Sequence, residues 1–246
     1  MISKKFKKAM MLFISAITLL FSGCGNESPD SKKVYKGMDD SSSVLESSGK
    51  KATTFEKLTI ESLPSSVEVE IDNNHCVTKL EGKFIDVTVE DESEASEVIS
   101  MLSEIIQCDD PSTQLRFDWI DNTSVTTVYS FRQYYNDIPV TGVVTNLHVK
   151  NDTHQVCRLQ NSFIPRLSLD TVPKITQDDI KKQLSEKYNT IVDGEPQLSI
   201  STMYDGFRGS PKLIWTACLK DSNIELVIAD AMTGEILEDE PRRIVD

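Results

Sequence analysis

Residues 125–149 read VTTVYSFRQYYNDIPVTGVVTNLHV, and their period of two constrains the fold more than any other feature of the chain. Val125–Phe131 and Thr141–Val149 each alternate apolar with polar side chains, the pattern of a strand that buries one face. Between them, Asn136-Asp137 tolerates the positive φ of a tight turn, and Pro139 opens the return strand. The stretch is a β-hairpin, and the rest of the chain must supply what its apolar face packs on.

Ser66–Ile71 and Gly82–Glu90 also alternate and are read as two strands joined by a loop. Ser93–Gln107 sets Ala95, Val98, Ile99, Leu102, Ile105 and Ile106 at helical spacing. Acids crowd its first turn, where the helix dipole favours them. Gln114–Ile120 and His154–Pro165 are predicted strands. Beyond Pro173, Thr176 and Asp179 make a capping-box-like start, followed by Ile180, Leu184 and Tyr188 on one face. Pro196–Tyr204, Pro211–Leu219 and Ile224–Leu237 supply three more strands, the last turning at Asp230–Gly234 through a left-handed glycine. A helix followed by three strands predicts an antiparallel sheet with a helix on one face. The expected class is α+β: antiparallel sheets, each with a packed helix.

The chain begins MISKKFKK, with four lysines and no acid, and continues with the apolar run AMMLFISAITLLF. That is the shape of a secretory signal, too short for a comfortable membrane span. FSGCG closes it and resembles the bacterial lipobox, with Phe21 in the place usual for Leu. The resemblance implies that Cys24 is diacylated and anchors the chain on the extracytoplasmic face of the cell membrane. Residues 1–23 are then the lipoprotein signal peptide. Residues 24–55, rich in Ser, Asp and Lys, are a disordered tether. Overall, 26 basic against 39 acidic residues leave a net charge of −13, which argues against nucleic acid and against binding an anionic surface by charge. Cys76, Cys108, Cys157 and Cys218 are widely spaced, with no CxxC. Outside the cell they allow two disulfides in any of three pairings, or they stay as buried thiols.

No catalytic motif is legible. His75, His148 and His154 have no HExxH-like spacing, and GxSxG, Walker and GxGxxG loops are absent. The acidic clusters Glu90–Glu94, Asp109-Asp110, Asp178-Asp179 and Glu238–Glu240 lack the alternating oxygens around a glycine that calcium requires. The expectation is no catalytic residue, no metal and no cofactor.

RQYYNDIPVTGVVTNLHV resembles the fungalysin/thermolysin propeptide (FTP) motif, with Gln133, Tyr135, Ile138, Pro139, Val140 and Gly142 in register and Asp137 replacing a turn glycine. Asn161 stands where that family's next strand carries a glycine, and the resemblance implies a left-handed backbone there, which Asn tolerates next after Gly. PKITQDDI, LIWTACL and DAMTGEIL resemble the PepSY domain that follows in the same propeptides, with Trp215, Asp230, Ala231, Thr233, Gly234 and Ile236 matching. The resemblance implies an FTP-like domain at 56–170, with an N-terminal strand extension, then a PepSY-like domain at 171–240 and a tail at 241–246. It implies structural roles for every matched residue. Such propeptides cover the cleft of a metallopeptidase, and no HExxH occurs here. The function expected is a non-catalytic protein-binding lipoprotein, an inhibitor or folding helper of a secreted peptidase. The alternative is an envelope interaction or sensory lipoprotein without a peptidase partner.

Overall fold

A computed structural model of the chain describes residues 56–203 and 210–242. The signal segment, Cys24, the tether and the tail beyond Arg242 lie outside the described residues.

The expected class is overturned. Strand outweighs helix, and the strands connect into one large mixed sheet instead of separate antiparallel sheets with a helix apiece. The strands are β1 (Glu68–Ile71), β2 (Val77–Glu81), β3 (Leu115–Asn122), β4 (Thr126–Tyr135) and β5 (Ile138–Lys150). They continue with β6 (Val156–Asn161), β7 (Val192–Ser201), β8 (Lys212–Leu219), β9 (Ile224–Asp230) and β10 (Ile236–Pro241). The order is β1-β2-β6-β5-β7-β8-β9-β10, with β4 also on β5 and β3 on β4.

The physical cause is β5, whose 13 residues serve two partners along one edge. Its later half pairs antiparallel with β4 on one side and β6 on the other. Its start pairs in parallel with β7, through Val140–Ile200 and Thr141–Ser201. The Thr141 hydroxyl also donates to the Ile200 carbonyl at 3.1 Å. The β4–β5 register slips between Arg132–Val144 and Tyr134–Pro139, so β5 bulges there and turns toward β7. Gly142 sits in the bulge at φ +72°, a conformation that penalises any Cβ. A parallel pairing between distant segments leaves no local periodicity, so the alternation alone does not reveal the join.

Two apolar cores flank it. The first gathers Leu80, Phe131, Leu147, Leu159 and Phe163 under α1 (Glu92–Met101) and α2 (Ser103–Ile106). All six apolar residues predicted at helical spacing are buried in it. Asp91 caps α1, its carboxylate accepting from the Ser93 and Glu94 N–H groups at 2.9 Å. Glu94 accepts in return from the Glu90 N–H at 2.7 Å. A single turn, α3 (Pro111–Gln114), leads into β3.

The second core holds Val140, Val143, Ile200, Leu213, Trp215 and Val227 against α4 (Gln177–Tyr188). Only Ile180 and Leu184 of α4 are buried, at about 1.5–3 kcal/mol each. Its caps are therefore a sizeable share of its stability. Thr176 accepts from the Asp179 N–H at 3.1 Å, and Asn189 closes the helix in the left-handed region.

Two local expectations change. The alternating stretch at 82–90 makes only an isolated bridge, Thr88 to Gln155, while the neighbouring Val77–Glu81 is the strand. Gly82, at φ +117°, ends β2 and donates to the Cys157 carbonyl, and Phe84, Ile85 and Val89 fill the core from extended loop. Asn161 is not left-handed. It is 5 % exposed, its Oδ1 accepting from Thr145 and the Phe163 N–H while its Nδ2 donates to the Val77 carbonyl.

Candidate functional site

The helical cover of the first core lies on one side of β1–β6. Leu80, Leu147, Leu159 and Phe131 point toward it, so their strand neighbours project from the opposite face. The register sets those neighbours in two rows across all six strands. One runs Asp121, Val128, His148, Arg158, Glu81, Glu68. The next runs Trp119, Ser130, Asn146, Gln160, Lys79, Glu70.

Each row is laced by polar contacts. Lys79 Nζ meets Glu81 at 2.8 Å, Glu70 at 3.0 Å and Glu68 at 3.5 Å. Arg158 reaches the other Glu81 oxygen at 2.6 Å. Hydrogen bonds from Lys79 and then Arg158 hold the Glu81 carboxyl down to about 2, and Glu81 in turn raises Lys79 and Arg158. Ser130 donates to Asn146 at 2.8 Å, and His148 Nε2 lies 2.8 Å from Gln160 Oε1. Burial pushes the His148 pKa below its ordinary value, more than the Gln160 contact restores. Near the β3 end, Arg132 grips Asp118 through Nε at 2.8 Å and a terminal nitrogen at 2.6 Å. Arg116 pairs with Asp137 in the hairpin turn and lies 4.3 Å over the Tyr134 ring.

The face is therefore a rigid polar plate with Trp119, Tyr134 and three arginines on it. A shallow hollow of about 510 Å³ opens where Glu81, Lys83, Val125, His148, Lys150 and Arg158 meet. A second, of about 460 Å³, lies on the other side between α1 and β3.

Several of the residues on which the propeptide resemblance rests gather at the join. Gln133 is 2 % exposed, its Nε2 donating to the Ile164 carbonyl at 2.8 Å and its Oε1 accepting from the Ile164 N–H at 2.9 Å. Tyr135 and Ile138 pack on the second core, Val140 is buried in it, and Pro139 pairs with Tyr134. Asn136 and Asp137 both take positive φ, as the turn reading requires. Trp215 donates to the Ile175 carbonyl at 2.9 Å, tying the sheet to the entry of α4. Asp230 accepts from the Met232 and Thr233 N–H groups, and Gly234 is left-handed at φ +77°.

Reactive side chains are dispersed. His75 and His154 occupy positive-φ positions in separate turns. No disulfide joins Cys76, Cys108, Cys157 and Cys218 to one another, and Cys76 and Cys108 are buried. Burial pushes the Cys108 thiol up to about 12 and raises Cys157 as well, the reverse of an activated nucleophile. Among the described residues, no group of three His, Cys, Asp or Glu side chains is placed to hold a metal, and no helix is long and apolar enough to cross a membrane. Sequence reading passed over Trp119, Arg116, Tyr134, Lys79 and Arg158. Their signal was the polar half of each alternation, which means little until the register aligns it.

No family model and no curated protein matches this chain. Among solved structures, it is similar to the Bacillus megaterium YpeB C-terminal domain at a TM-score of 0.39 and 13% identity, over 72% of this chain and 77% of that one. At that score the likeness carries no argument about what the chain does.

Proposed function

We propose that this chain is a cell-surface lipoprotein whose body is a non-catalytic protein-binding module, holding an extracytoplasmic metallopeptidase as inhibitor or folding helper. One observation carries the reading: the outer face of β1–β6 presents Trp119, Tyr134, Arg116 and Arg132 on a plate already fixed by hydrogen bonds and ion pairs. Trp, Tyr and Arg are the side chains that most often anchor protein contacts, and a preorganised surface loses little entropy on docking. The resemblance to propeptides supplies the class of partner. Glu238–Pro241 lie in β10, and Arg242 donates to the Leu219 carbonyl at 2.8 Å and the Ser222 carbonyl at 3.0 Å.

The test is enzymatic. The full chain in mild detergent is added to each extracytoplasmic metallopeptidase of the same organism, during refolding and after it. Saturable inhibition, or a raised yield of active enzyme, is the expected result. No effect on any of them rejects the peptidase partner and leaves an envelope interaction module.

A further inference from the structure

The 510 Å³ hollow on the outer face brings Lys83, Lys150 and Arg158 into its lining against one acid, Glu81. The chain as a whole carries a net charge of −13, so the balance there is reversed. The backbone makes the hollow. β5 and β6 pair His148 with Arg158 and Val149 with Val156, which leaves Cys157 as an extra residue in β6. A bulge of this kind bends its strand and re-aims the side chains beside it. Across from it, Gly82 donates to the Cys157 carbonyl at 3.0 Å and puts no side chain into the space.

His148 and Lys150 stand two apart on β5 and project from the same face, and Arg158 lies beside His148 on β6. Two of these side chains are already fixed. Arg158 is held by Glu81 at 2.6 Å, and His148 Nε2 lies 2.8 Å from Gln160 Oε1. Glu81 does not neutralise the hollow, because its other oxygen is taken by Lys79 at 2.8 Å. Lys83 meets Asp86 at 2.8 Å, but both side chains are exposed and water screens the pair. Lys150, on the rim, makes no ion pair among the described residues. Cys157 registers the positive field: burial raises its thiol, while the charges of Lys150 and then Arg158 pull it down.

We infer that this hollow binds a small phosphate-bearing molecule, its oxyanion seated among Lys150, Lys83 and the Arg158 nitrogens that Glu81 does not use. The class follows from the donors. A guanidinium presents a planar fork that matches the oxygens of an oxyanion, and lysines add charge without fixed direction. Three cations less one acid leave the lining a surplus of two positive charges. A phosphate monoester, at about −1.5 to −2 near pH 7, matches that surplus better than a single carboxylate does. The volume suits a small molecule. The inference goes beyond the module reading and does not depend on it.

The full chain in mild detergent is titrated by calorimetry, at constant ionic strength, with inorganic phosphate and with glycerol 3-phosphate, and with acetate as the carboxylate control. Saturable binding of at least one phosphate probe is expected, with a Kd below about 1 mM, and none of acetate in that range. The tighter of the two tells free phosphate from an ester. Lys150→Glu should weaken binding tenfold or more. Lys182→Glu, the same charge change at an exposed position on α4, should leave it nearly unchanged. Circular dichroism checks that both variants keep the fold. A second readout needs no substitution: saturating phosphate probe should slow alkylation of Cys157 by iodoacetamide, mapped by mass spectrometry, and leave that of Cys218 on β8 unchanged. Absence of saturable binding, equal affinity for acetate, equal loss in the two variants, or unprotected Cys157 overturns the inference.

Discussion

At the scale of single residues, the matched motif is a set of joints. Gln133 uses both ends of its amide on Ile164, so Gln133→Leu strands a buried N–H and carbonyl. A loss of about 1–3 kcal/mol is expected in urea unfolding, against little change for the half-buried Gln155→Leu. The outer face gives a pH signature. His148 is held below its ordinary 6.5 by burial, so the folded state favours the neutral ring. Its contribution is complete above pH 6.5 and is lost as the pH falls below that value. Glu81, held down to about 2, contributes above its ordinary 4.5 and loses that contribution as the pH falls toward 2. Urea midpoints between pH 7 and pH 5 should therefore decline in the parent chain and flatten in His148→Gln. Buried Cys108, with its thiol at about 12, should resist a thiol-specific disulfide reagent until the chain unfolds.

At the scale of elements, the bulge in β5 and the caps of α4 carry the most strain-sensitive positions. Gly142→Ala puts a Cβ on a left-handed residue and should cost about 1 kcal/mol or more. Gly234→Ala is worse placed, since its Cβ would stand 3.0 Å from Gln183 Oε1. Thr176→Ala removes the α4 cap and should cost about 1 kcal/mol, read as a lowered thermal midpoint. Elements with a strong local signature were legible: the helical stretch at 92–106, though not its break at Leu102, the hairpin turn at Asn136-Asp137 and the glycine turn at Gly234 all follow from periodicity or turn chemistry. Val77–Glu81 was not, because Thr78, Lys79 and Glu81 are polar and leave two apolar residues to mark the strand. Asn161 misled because its residue type fits a left-handed turn as well as the buried bonding it performs.

At the scale of the molecule, the β4–β5 hairpin is the seam of a mixed sheet, with Phe131 and Leu147 in one core and Val140 and Val143 in the other. Local pattern showed which residues turn inward; it did not show which strands meet, and so neither the mixed sheet nor the aligned rows of the outer face. Both depend on non-local pairing. Shared strand β5 predicts that the two cores unfold together, and Val140→Ala should shift tryptophan fluorescence from Trp119 and Trp215 in one common transition. The proposed function places a protein partner on the outer face. Calorimetric titration of the full chain and of a Trp119→Ala/Tyr134→Ala variant into the extracytoplasmic metallopeptidases of the same organism tests it most directly. A saturable complex with at least one of them is expected, weakened tenfold or more in the variant at unchanged circular dichroism. No complex, or equal affinity for both chains, would contradict it.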